Sequence, residues 1–247
     1  MVCCLLCPDT PPEKVSAKGA RGGGYQMYLD KQNNPETFAT PLAKACCAEP
    51  GCCCIATLGT PLGCTACYSR KSVLDTYYNG IQDFVCLQGY LDCCCCKVSS
   101  CCPGSMIGLC CEGFWCNVLA ISIARLHLME KKRIRPDPMD YQIIACANCL
   151  QLLACLFDIL AIFISELREA ACAPRADCTI LKSPPASPAR RPHCAGIIDI
   201  VADLVMCSVG GCMGTQVYHE IKEDKKKGIA NPELMRRAPA PQQMARP

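Results

Sequence analysis

Three long apolar runs dominate the second half of the chain. The first, Pro103 to Ala124, carries one charge, Glu112. The second, Ile143 to Ile164, carries Asp158, and the third, Cys194 to Tyr218, carries Asp199 and Asp203. Each exceeds the length of about 20 residues with which a helix crosses a bilayer. Each also holds carboxylates that cost about 2.5–3.5 kcal/mol apiece at the centre of a membrane helix. The polar positions are patterned. Asn148, Gln151, Cys155 and Asp158 fall on one helical stripe, and Asp199, Asp203, Cys207, Gly210 and Gly214 fall along another. Such stripes should face protein, and Gly210, Gly211 and Gly214 should let helices approach closely. Asp158, Asp199 and Asp203 are expected to meet inside the protein, where they share partners or a cation.

The remaining pattern is different. Residues 1–45 are rich in Pro, Gly, Lys and Asn, with three glycines at Gly22–Gly24, and read as a flexible arm. Residues 46–102 hold half of all the cysteines, with a helix-compatible stretch from Cys67 to Cys86 between clusters. Residues 172–195 read as a Pro-rich linker inserted in a helical domain of residues 46–221, and residues 222–247 as a basic, then Pro/Ala/Gln-rich tail. The predicted fold is mainly α: three long apolar helices, a cysteine-clustered front segment and disordered termini. Membrane embedding is favoured over peripheral attachment and over a soluble bundle. Basic residues follow the first run (Arg125, Lys131–Arg133, Arg135), fill the linker and open the tail (Lys222, Lys225–Lys227), so three successive crossings would set the positive-inside rule against itself.

Composition changes this picture at one point. The net charge of +3 gives no electrostatic case for nucleic acid, but 28 of 247 residues are cysteine. A secreted disulfide scaffold would start with a signal peptide. Here Pro8 and Asp9 end the apolar start at once, which predicts cytosol-facing, mostly reduced thiols. Thiolates spaced C-x-x-C grip soft ions, and the spacing occurs at Cys4/Cys7, Cys64/Cys67, Cys93/Cys96 and Cys146/Cys149.

The expected metal site joins Cys64 and Cys67 to Cys93, Cys94, Cys95 and Cys96, with Cys101 and Cys102 as further ligands for Zn2+ or another soft divalent ion. Reduced cysteine also packs as a small hydrophobe, so a core role stands beside this one, and Cys146 and Cys149 are expected in the core. Cys3, Cys4 and Cys7 are expected to carry S-acyl chains, whereas Val2 excludes N-myristoylation. No nucleophile–histidine constellation, phosphate loop or H-x-x-x-H motif suggests an enzyme.

"DLVMCSVGGCMGTQVYHEIK" resembles the closing signature of the placenta-specific-8 type cysteine-rich family, which includes onzin, the plant cell number regulators and the plant cadmium resistance proteins. Cys212, Gln216 and Glu220 match its Cys-x3-Gln-x3-Glu spacing, with Asp203 and Cys207 upstream. "RLHLMEKKRIRPDPMD" is similar to the family's central basic link. The family's front motif is two cysteines, or Cys-Leu, and then Cys-Pro-Cys four residues later. Its nearest equivalent is taken as "GCTAC" at Cys64 and Cys67, while "SVGG" replaces vicinal cysteines before Cys212.

The resemblance implies a non-enzymatic protein at the plasma membrane, linked to metal resistance or control of cell size. The expected function is therefore binding, or helping to transport, soft divalent metal at a membrane. A homo-oligomer is compatible with it. The alternatives are a scaffolding membrane protein and a soluble thiol-redox helical protein.

Overall fold

The computed structural model describes Leu5 and residues 34–89, 102–171 and 193–228. Among these residues the protein is mainly α-helical, with seven α-helices: α1 (Leu42–Ala48), α2 (Pro50–Gly59), α3 (Cys64–Tyr77), α4 (Met106–Trp115), α5 (Asn117–Lys132), α6 (Pro138–Ala171) and α7 (His193–Lys226). Local chemistry sets several boundaries. Glu49 leaves the helical region (φ −139°, ψ 72°), and Pro50 opens α2 at a position where its missing N–H costs nothing. Gly63, at φ 73°, turns the chain from α2 into α3. A Cβ there would lie 2.9 Å from Phe114 Cα, so only glycine allows the turn and the contact together. The Ser105 side chain caps α4 by accepting a bond from the Gly108 N–H.

The first apolar run does not form the single helix its length predicts. It bends by 118° at Cys116, giving α4 and α5, and the α2–α3 pair bends by 118° as well. The two corners meet, where Asn117 Nδ2 donates to the Thr60 carbonyl at 2.9 Å. Two helices remain that are long and apolar enough to cross a membrane, Pro138–Ile164 within α6 and Gly196–Lys226 within α7.

Helix α7 packs against α1, α2, α3, α5 and α6. Its glycines allow the close approach expected of them, since a Cβ on Gly211 would sit 2.8 Å from the Thr57 backbone of α2. One core cluster gathers Leu5, Leu42, Ala66, Ile121, Ile144 and Met213; another joins Val73, Tyr77, Leu128, Ile134, Val217 and Ile221.

Charge and hydrophobicity are inverted between the two ends of the molecule. At the base, the first turn of α6 and the last turns of α7 bury their polar groups. Asp140 accepts bonds from Arg125 Nη2 (2.7 Å), the Leu42 N–H (2.9 Å) and Gln216 Nε2 (3.1 Å). Arg125 Nε also donates to Gln216 Oε1 at 2.8 Å. Lys132 bonds Glu220 and Asp224, and Tyr77 donates its hydroxyl to Asp224 at 2.5 Å. A second buried pair, Arg70–Glu112 at 3.0 Å, ties α3 to α4.

At the other end, Leu152, Leu156, Phe157, Leu160 and Phe163 of α6 and Ile197, Ile200 and Leu204 of α7 are exposed, as are Ile55, Leu58, Leu62, Ile107, Phe114 and Trp115 around the two corners. An exposed apolar surface of this extent, on two helices long enough to span a membrane, points to membrane association.

Part of the expected arm is packed. Phe38 lies under the Arg125 guanidinium, 4.8 Å from its ring centroid. Leu5 is buried, with its N–H on Asn148 Oδ1 and its carbonyl on Asn148 Nδ2, both at 2.8 Å.

Candidate metal centre

The kink at Glu49 folds α1 and α2 into a V whose open side faces α7. Cys46 on α1, Cys53 in the first turn of α2 and Cys212 on α7 thereby converge, their sulfurs all within 4.8 Å of one another. Cys46 and Cys53 are joined as a disulfide, with Cα atoms 5.2 Å apart. Cys212 Sγ lies 3.1 Å from Cys46 Sγ. Zn–S bonds of about 2.3 Å in a tetrahedron hold sulfurs about 3.7 Å apart, so the trio has the dimensions of a thiolate cage once its disulfide is reduced.

The same corner carries counter-charges. Glu49 bonds Lys222, and His219 Nδ1 lies 3.4 Å from Glu49 Oε1. The Lys222 hydrogen bond, with His219 assisting, holds the Glu49 carboxyl below the usual carboxylate range. The resulting tie between the V and α7 is fully present above the usual carboxylate range and is lost as pH falls below it, through the lowered value. Beside Cys53, burial pushes the Cys52 thiol up, although the Thr215 hydroxyl hydrogen-bonds it.

Compared with protein-family models, curated proteins and solved structures, the chain matches none of them. Its chemistry is therefore read from its own residues.

Only part of the expected metal site lies among the described residues. Cys93–Cys96 and Cys101 lie outside the described residues, as do Cys3, Cys4 and Cys7, which flank the docked Leu5. Cys64 is exposed at the start of α3. Cys67 turns toward α4, 3.7 Å from the Leu109 carbonyl, and burial, with Cys110 nearby, pushes its thiol up to about 11. Cys102 is exposed ahead of α4. Among the described residues, Cys46, Cys53 and Cys212 form the one group of three such ligand atoms, and Cys64, Cys67 and Cys102 form none.

Asp158 and Asp199 are half-buried and Asp203 is exposed, so these three carboxylates do not converge as a ligand group either. Cys207 is half-buried. Cys146 and Cys149, expected in the core, are exposed, because among the described residues nothing covers that face of α6. Gln216 and Glu220 do not reach the sulfur trio; they hold the base together through Arg125, Lys132 and the backbone at Thr40 and Ala39.

Sequence reasoning passed over Cys46 and Cys53. The signal was "CCAEPGCCC", a vicinal pair and a triplet separated by a Glu-Pro break. A Pro at the first position of a helix implies a sharp change of direction, and that change brings cysteines seven apart onto one side.

Proposed function

We propose that this chain is a membrane-anchored protein that binds soft divalent metal through Cys46, Cys53 and Cys212. The observation that carries this reading is the convergence of those three sulfurs from three helices at the boundary between the polar base and the lipid-facing end. Thiolate donors favour Zn2+, Cd2+ and similar ions over Mg2+ or Ca2+.

The resemblance to the placenta-specific-8 type family supports the same reading and gains a term. "CCAEPGCCC" has the front motif's two cysteines, four-residue gap and Cys-x-Cys, with Cys53 where the family has proline. Its spatial neighbour is the closing Cys212. A role in metal homeostasis is what that resemblance adds. S-acylation of Cys3, Cys4 and Cys7 belongs to this proposal too, as a second anchor beside the apolar helices.

Binding requires the reduced state, because the Cys46–Cys53 bond removes two of three donors. The test is zinc and cadmium stoichiometry of the purified protein with and without prior reduction, followed by proton release. Reduced wild type should take up one ion tightly and release protons, and the oxidised form should not. Cys212→Ser should weaken binding by more than about 100-fold, since even residues behind the ligands contribute 10–100-fold. Cys64→Ser with Cys67→Ser should leave the tight ion in place. Tight uptake by Cys212→Ser would overturn the assignment. Exchange of disulfide partners among the three sulfurs without metal uptake would favour a thiol-redox role instead.

A further inference from the structure

A second site adjoins the corner of the sulfur trio and shares Lys222 with it. Between α3 and the last turns of α7 opens a cavity of about 390 Å³, lined by Tyr68, Ser72, Tyr218, Lys222, Lys225 and Lys226. Three lysines, one serine and two tyrosines line one space, beside the apolar Ile221. Two carboxylates sit at its rim: Glu49 takes Lys222, and Glu223 takes Lys226 at 2.7 Å. Lys225 and Lys227 are exposed on the same end of α7. The donor set suits a tetrahedral oxyanion, with ammonium groups as point charges and hydroxyls to complete its hydrogen bonds.

The height of the cavity supplies the second observation. Along α3, the exposed Leu62 at the α2–α3 corner is followed by Tyr68 and then Ser72. Along α7, the exposed Leu204 is followed by Tyr218 and then Lys222 and Lys225. Both helices therefore run from an apolar surface, through a tyrosine, to polar or basic groups. Tyrosine marks the headgroup level of a bilayer, and lysines just beyond it meet phosphate.

We propose that this cavity binds the phosphate of an anionic phospholipid headgroup, with Lys225 and Lys226 as direct contacts and Ser72 and Tyr68 as hydrogen-bond donors. The lipid source rests on the membrane placement of the apolar end, and nothing in the site depends on metal.

The experiment uses the full chain in uncharged detergent, titrated by calorimetry with three probes: a short-chain phosphatidylinositol phosphate, the matching phosphatidylcholine and inorganic phosphate. The inositol lipid should bind saturably and less tightly as salt rises, phosphatidylcholine should not compete, and inorganic phosphate should bind much more weakly. Lys225→Gln with Lys226→Gln should lower affinity by about tenfold or more, each lysine contributing at the scale of surface-bound basic residues. These side chains are exposed, so the fold is retained, and Ser72→Ala gives an independent smaller loss. Cys212→Ser should bind the lipid like wild type, which separates this site from the metal reading. Inorganic phosphate binding as tightly as the lipid would overturn the lipid assignment in favour of a soluble phosphate compound. Equal binding of both lipids, or unchanged affinity in both variants, would overturn the site itself.

Discussion

Asp140 shows how much of the molecule depends on single polar residues. One carboxylate, fully buried, accepts from a guanidinium, an amide side chain and the first N–H of α1. Removing it leaves Arg125 charged and shut away from water. Asp140→Ala should therefore cost about 3–5 kcal/mol, the scale for breaking one side of a buried ion pair. Asp140→Asn, which keeps an acceptor, should cost less, and chemical unfolding in detergent measures both. None of this was legible in the sequence. Arg125 was read as one of a run of loop cations and Asp140 as the end of a basic link, and their pairing appears only when α5 and α6 fold back on each other. Cys212 was visible through its spacing to Gln216 and Glu220, but its partners were not, because proximity across 166 residues leaves no local trace.

Helices α6 and α7 were legible for the reason their sequences suggest: length and hydrophobicity together leave few alternatives. The break at Cys116 was not, since no proline or glycine marks it. Asn117 makes the break by turning its amide away to Thr60, a contact set by tertiary structure. The glycine stripe of α7 was read correctly as a close-packing face. Gly211→Leu should push α2 off α7, costing about 1–3 kcal/mol as overpacking does. It should also slow formation of the Cys46–Cys53–Cys212 metal site, because Cys53 rides on α2. Gly196 on the same helix has open space around its missing Cβ, so Gly196→Ala should be neutral or stabilising by up to about 1 kcal/mol. Metal-titration and unfolding curves of the two variants side by side check both statements.

For the described residues, two helices long and apolar enough to cross a membrane stand where three apolar runs were read from the sequence. The basic end of α5 and the basic end of α7 then share one face, tied by Lys132 to Glu220 and Asp224. That resolves half of the charge conflict seen in the sequence. Residues 172–192 join the far ends of α6 and α7 and should emerge on the opposite face. Epitope tags placed after residue 185 and after residue 228 should be protected from external protease on opposite sides of sealed vesicles. Protection of both from the same side would mean that α6 and α7 enter and leave by one leaflet. The apolar corners at Ile55–Leu62 and Phe114–Trp115 explain why the first run looked like a crossing: its apolar residues are exposed, but they are divided between two helices bent by 118°.

The position of α7 at the end of the chain has a consequence for biosynthesis. Arg125 is made 91 residues before the Gln216 that binds it, and Lys132 is made 88 residues before Glu220. Until that last helix leaves the ribosome, their charges have no partner from it. Cys46 and Cys53, only seven residues apart, can meet each other long before Cys212 exists. Arg125 finds its counter-charge early, in Asp140 made 15 residues later, whereas Lys132 waits for Glu220 and Asp224, so arrival of the final helix both completes the base and delivers the third sulfur. A ribosome that stops before α7 releases a chain in which Lys132 lacks both of its carboxylates and α1, α2 and α6 lack the helix on which they pack.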